Sequence, residues 1–228
     1  MTRLTFLLVM HAAALAACDL PRDADGTLAR VRHGTLRVGV VRAAPWVADS
    51  NGAVGGIEGA LVTRLASELG ARVEWVRRPE SELLMGLHAR QLDVVVAGLT
   101  KTSPWSKQVA LTRPYYTDTI VVAARGAPVG ALDGLQVAVE HGDPITEKLR
   151  GKGAVPVPVP DVARATLPVA VPSWRAAALG LAPGGTVLGE EPHVFALPPG
   201  ENAWMVHVER WLEGQKPTVA GALRRERP

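Results

Sequence analysis

Residues 92–116 read LDVVVAGLTKTSPWSKQVALTRPYY. Asp93 to Ala97 is short and β-branched, the pattern of a buried strand, and Gly98-Leu99-Thr100 turns the chain at its carboxyl end. A polar loop follows, and a second brief apolar segment closes on Thr112-Arg113-Pro114-Tyr115-Tyr116. Glycine and threonine at that turn offer a backbone N–H and a hydroxyl at the edge where open α/β sheets bind ligands.

Upstream, the apolar period alternates between strand and helix. Leu36 to Val41 reads as a buried strand running into a loop with Pro45 and Trp46. Glu58 to Leu69 carries apolar residues at 61, 62, 65, 66 and 69, one face of a helix, and Gly70 caps it. Ala71 to Val76 is a second strand, Ser81 to Arg90 a second amphipathic helix, and Leu92 to Ala97 the third strand. A βαβαβ run of this length implies a parallel sheet.

Downstream, Thr119 to Ala124 is a long apolar strand and Leu135 to Val139 another, with a helix opening over Pro144 to Arg150. Residues 154–172 are dense in Val-Pro pairs, which predicts an edge strand or extended loop, because proline cannot donate to a ladder. Ser173 to Leu181 reads as a short helix with Ser173 as N-cap. His193 to Leu197 returns to the first sheet. Ala203 to Leu212 is a helix, and Val219 to Arg225 a last short one.

The first residues read as targeting rather than fold. Arg3, the apolar run Leu4 to Met10 and the small residues up to Ala17 make a signal peptide over 1–17, too short in its apolar part to span a bilayer. Leu15-Ala16-Ala17-Cys18 resembles a bacterial lipobox, which implies that Cys18 is the lipid anchor. A plain cleavage after Ala17 is the alternative. Cys18 is the single cysteine of the chain, so no internal disulfide can form. Acyl chains there would hold the protein at a membrane surface. Residues 18–33 are polar and aperiodic, a tether.

Composition bounds the rest. The 228 residues carry 25 Lys and Arg against 22 Asp and Glu, a net charge of +3 that is scattered rather than clustered. That is no footprint for nucleic acid. Enzyme motifs are missing. The histidines lack metal-ligand spacing, Gly55-Gly56-Ile57-Glu58-Gly59 lacks the ending of a phosphate loop, and no nucleophile elbow occurs. No cofactor is implied.

The stretch 92–116 together with GIEGALVTRLASELG (56–70) resembles the bacterial periplasmic solute-binding proteins of family 3, the amino-acid-binding type. In that family an L/I-D-x-x-x strand leads to S/G-x-T-x-T-x-x-R, then to T-x-P-Y. The resemblance implies an α/β, two-lobed type II periplasmic-binding-protein fold, here with a shortened second lobe. Lobe one would comprise 34–125 plus 192–228, and lobe two 126–191. Residues 135–143 resemble the family's entry into lobe two.

The resemblance also implies where ligand would lie, and each position has a blander reading. Trp46 matches the aromatic placed against ligand, or packs in the core. Arg42 could pair with an anion, or be an exposed loop residue. Gly98 and Thr100 supply an N–H and a hydroxyl. Trp105 stands where the family's carboxylate-gripping arginine is expected and could stack on a planar or cationic group, or cover the loop. Asp143 could meet an amine, or serve its helix N-terminus. Ser173 falls where the family keeps an aspartate for the α-amino group. A carboxylate buried without a partner costs several kcal/mol, so a standard amino acid held in the standard way is not expected.

These readings predict a monomeric, lipid-anchored, extracytoplasmic protein that delivers a small polar solute to the permease of an ABC transporter. A sensory ligand-binding module is one alternative. An envelope lipoprotein with a non-functional cleft is another.

Overall fold

The computed structural model describes residues 22–50, 52–104 and 107–226. The signal peptide, Cys18 and Trp105 lie outside the described residues. Two five-stranded sheets organise the chain. The first has the order β4-β1-β5-β12-β6, built from β1 (Thr35–Val40), β4 (Arg72–Arg77), β5 (Val94–Val96), β6 (Ala110–Leu111) and β12 (Ala196–Leu197). Its centre is parallel, as the βαβαβ pattern predicts: β1 pairs with both β4 and β5 in parallel register. The short β12 then joins β5 and β6 antiparallel. A small hairpin, β2 (Ala48–Ser50) with β3 (Ala53–Gly55), stands apart.

Period-two alternation gives this sheet two cores. Val94 and Val96 face a cluster with Leu61, Val62 and Leu65 of α2 (Gly56–Glu68) and with Trp204, Val208 and Leu212 of α6 (Asn202–Glu213). Val95 faces the other way, onto Leu83, Leu84 and Leu87 of α3 (Glu80–His88). All three valines are fully buried, and burial of each such side chain contributes about 1.5–3 kcal/mol. The last helix, α7 (Lys216–Leu223), adds Val219 and Leu223 to the first cluster.

The second sheet runs β11-β7-β10-β8-β9: β7 (Tyr116–Ala124), β8 (Gln136–Glu140), β9 (Val155–Val159), β10 (Val169–Pro172) and β11 (Ala182–His193). The helix α4 (Ile145–Gly151) covers one face through Ile145 and Leu149, and α5 (Ser173–Ala178) the other through Ala176. β7 and β11 pair antiparallel from Tyr116–His193 to Ala124–Ala182. The second sheet therefore takes in residues from 116 to 193.

Three expectations need correction. Residues 22–33 are no free tether: α1 (Thr27–Val31) buries Thr27 and Val31. Within this segment Asp23 accepts from the Leu28 and Trp204 backbone N–H groups at 2.7 and 2.8 Å. Residues 154–172 divide: β9, with its alternating prolines, is the expected edge strand, but β10 is interior, between β7 and β8. Val169 to Val171 is proline-free, so Pro172 falls only at the strand's end. Ser173 does not cap α5; it is the first helical residue, and no side chain caps that helix.

Candidate functional site

The chain passes between the two sheets at the start of β7 and the end of β11, and a cleft of about 470 Å³ opens there. The first lobe contributes Pro45 and Trp46 from the loop after β1. The second contributes Asp118 of β7, Glu140 of β8, Trp174 and Arg175 of α5, and Glu191 of β11. His193, at the carboxyl end of β11, sits on the seam between them. Trp174 also packs against the first lobe's core cluster, so it touches both sides.

Beneath the cleft lies a buried acid, Glu58 in the first turn of α2. It accepts the Gly98 backbone N–H at 2.9 Å and the Tyr115 hydroxyl at 2.7 Å. Burial pushes its carboxyl up to about 7, although the donors from Gly98, Tyr115 and Ala97 pull the other way. Gly98 has φ +64, and a Cβ there would come within 2.9 Å of Trp46 Cδ1. The turn needs glycine for both its handedness and the closeness of the indole.

Asp118 is 1 % exposed. Its Oδ1 accepts the Thr119 backbone N–H at 2.8 Å and the Ser173 hydroxyl at 3.3 Å, while Oδ2 has no partner. Burial raises its carboxyl to about 6, against the lowering influence of Thr119, Ser173 and the Trp174 indole; Glu191 raises it further. The Trp174 N–H itself completes no hydrogen bond. His193 is 3 % exposed, and burial lowers its imidazole to about 4, with a partial offset from the Gly98 carbonyl, so it is neutral at pH 7. Its Nδ1 is unpartnered. Three of the four buried side-chain polar groups without a partner among the described residues thus border one cleft.

The residues picked out from sequence fare unevenly. Trp46 lines the cleft, yet one ring face is taken: its centroid lies 3.8 Å from that of His193. The Gly98 N–H is given to Glu58. The Thr100 hydroxyl pairs with that of Thr102 at 2.8 Å and does not border the cleft. Arg42 is exposed and acts on Asp49 instead. Arg113 is bound to Glu209. Asp143 accepts from the Ile145 backbone N–H at 2.9 Å at the start of α4, its helix-terminal reading. Ser173 reaches the site only through Asp118. Asp118, Trp174 and His193 were missed. The available signal was an aspartate inside the apolar run Tyr116 to Ala124.

Among the described residues no cluster of three or more metal-ligating side chains occurs, and no helix is long and apolar enough to cross a membrane. Comparison with curated protein sequences finds no match. Among solved structures, the chain is similar to an ancestral cationic amino acid solute-binding protein, AncCDT-1, at 22% identity and TM-score 0.70, over 87% of this chain and 98% of that one. The L-cystine solute receptor of Neisseria gonorrhoeae, in its unliganded open conformation, aligns at 19% identity and TM-score 0.69 over 84% and 92%. The GluR0 ligand-binding core with L-glutamate aligns at 17% identity and TM-score 0.59 over 84% and 97%. These likenesses establish the type II periplasmic-binding fold. Residues 36–218 match the family of bacterial extracellular solute-binding proteins, family 3, and the chain belongs to that family.

Proposed function

We propose that this solute-binding protein captures a small, amino-acid-like solute between its lobes outside the cytoplasm and hands it to the permease of an ABC transporter, held at the membrane through Cys18. The observation that carries this reading is the interlobe cleft bordered by buried, unpartnered polar groups on Asp118, Trp174 and His193. Such groups carry an energetic penalty when empty, and a ligand that satisfies them recovers it. The names of the similar structures point the same way: one binds cationic amino acids and one is an L-cystine receptor.

Closure about the paired strands β7 and β11 would exclude water from the cleft and make the liganded form distinct to a permease. A thermal-shift screen of the purified protein against polar metabolites tests the reading. A ligand at ~100 times its Kd should stabilise by about 2.7 kcal/mol, a shift of several degrees. A screen in which no amino acid or related amine shifts the melt overturns it. For the anchor, Cys18→Ser should release the protein from membranes or leave it unprocessed; unchanged fractionation and migration would remove the lipid from the account.

A further inference from the structure

We infer that the cleft recognises a small organic cation through one charged group bearing at least two N–H donors, with Asp118 as its counter-ion. This rests on the solute-binding reading above and names the solute's class. Four carboxylates line the cleft: Asp118, Glu140, Glu191 and Glu226. The one guanidinium among the lining residues, Arg175, is held by Glu140 at 2.9 Å. An acidic lining by itself would decide little, since acids are often simply solvated.

What decides is the unpartnered set. Asp118 is buried with one oxygen fully used and the other empty. His193 Nδ1 is a second buried nitrogen without a partner, and the neutral ring can present it as an acceptor. Two acceptors facing one cleft, one of them an anion, call for a donor-rich cation such as a primary ammonium or a guanidinium. Among the described residues the Trp174 indole N–H is the single unpartnered donor there; it lies toward Asp118 and lowers its carboxyl without completing a hydrogen bond, so a cation at Oδ2 would leave the indole to a neutral oxygen of the ligand.

Among the described residues no free cation lines the cleft for a carboxylate of the ligand. Arg175 would have to leave Glu140, Arg113 is engaged by Glu209, and Arg42 does not border the site. The solute's charged amine or guanidinium therefore contributes to binding, and its α-carboxylate adds little. The Ser173 hydroxyl acts as a positioning group, fixing Asp118 Oδ1 so that Oδ2 is presented to the cleft.

The test is titration calorimetry of the wild-type protein, Asp118→Asn and Ser173→Ala with four probes: L-arginine, agmatine (its decarboxylated form), glycine and L-glutamate. Arginine and agmatine should bind within about tenfold of each other, and glycine and glutamate at least a hundredfold more weakly. Asp118→Asn should weaken agmatine by about ten- to a hundredfold, the worth of one charge-assisted hydrogen bond, and Ser173→Ala by less. Melting of unliganded Asp118→Asn should show unchanged or higher stability, which separates lost recognition from lost fold. Glutamate or glycine binding as tightly as agmatine, or agmatine binding unaffected by Asp118→Asn, overturns the cation assignment and leaves the solute-binding function standing. Failure of these probes and of every other amino acid and amine overturns both.

Discussion

The Trp46 indole lies over the His193 imidazole with ring centroids 3.8 Å apart and planes inclined by 33°. One ring comes from the first lobe's loop and the other from the end of a strand in the second sheet, so this pair is part of the seam between lobes. Burial keeps the imidazole neutral, its value near 4 against 6.5 for a free histidine.

The sign of that shift gives a stability prediction. An unfolded histidine takes up its proton near 6.5, while the folded one resists until about 4. The contribution of His193 is therefore complete above 6.5 and is lost as pH falls toward 4. His193→Phe keeps a ring against Trp46 but removes the titration. Urea melts at several pH values should show wild type losing its advantage over His193→Phe between 6.5 and 4. A gap that does not change with pH would mean the imidazole titrates normally.

Glu58 has the opposite slope. Its unfolded carboxyl ionises near 4.5 and its folded one near 7, so stability is lost as pH rises through that window. Glu58→Gln mimics the protonated form, with its carbonyl on the Gly98 N–H and its amide N–H toward Tyr115. Relative to wild type, the Gln variant should gain stability from pH 4.5 to 7 and level off above. Glu58→Ala should instead cost about 1–3 kcal/mol, because the Gly98 N–H loses its acceptor. Equal pH profiles for wild type and Glu58→Gln in denaturant melts would refute the buried-acid assignment.

Asp118 predicts how cation binding depends on pH. In the empty cleft burial holds its carboxyl near 6; Glu191 adds to the rise, while Thr119, Ser173 and Trp174 oppose it. Glu191 is itself raised by burial and by Asp143, with Lys148 pulling it down. A bound cation favours ionised Asp118, so binding below pH 6 must release a proton. Affinity for agmatine should fall by up to about tenfold per unit below pH 6 and be flat from 7 to 8. Calorimetry in two buffers of different ionisation enthalpy reads the released proton directly. Proton-independent binding at pH 5 would be the contrary result.

The clamp at the N-terminal segment is equally testable. Glu201 is buried and accepts the Asp25 and Thr27 backbone N–H groups at 2.9 and 3.0 Å, with Arg90 beside it. Arg30, with Arg37, pairs with buried Asp93. A chain beginning at residue 34 keeps Arg37 and Arg90 but loses the Asp25 and Thr27 N–H groups, Arg30 and the fully buried Val31. We expect it to lose about 4 kcal/mol relative to a chain beginning at 22, or about 8–16 °C in Tm. Equal melting temperatures would return residues 22–33 to the role of tether.

The fold was legible where apolar period and burial agree. Leu61, Val62, Leu65 and Ala66 mark the inner face of α2 in the sequence and are buried in the structure. β11 was not legible, because Ala-Pro-Gly-Gly-Thr-Val-Leu-Gly-Glu-Glu-Pro-His has the composition of a loop. Its register slips between Pro183 and Gly189, and pairing with β7, not its own propensity, makes it a strand. α1 was hidden for a related reason: five residues are too few for a period, and polar partners far along the chain fix it in place. The site was read by position rather than by environment. Position brought out Trp46, which does line the cleft, and Thr100, which does not. Asp118 becomes visible only when β7 and α5 are brought together in space.

The clasp of Asp23 and Glu201 fastens the first described residues to the lobe built on β1. Any pull exerted from upstream of residue 22 is consequently delivered into that lobe. The lobe of β8, β9 and β10 is joined to it by the β7–β11 ribbon. Held at residue 22, the first lobe would be the fixed jaw and the second the one free to swing about that ribbon.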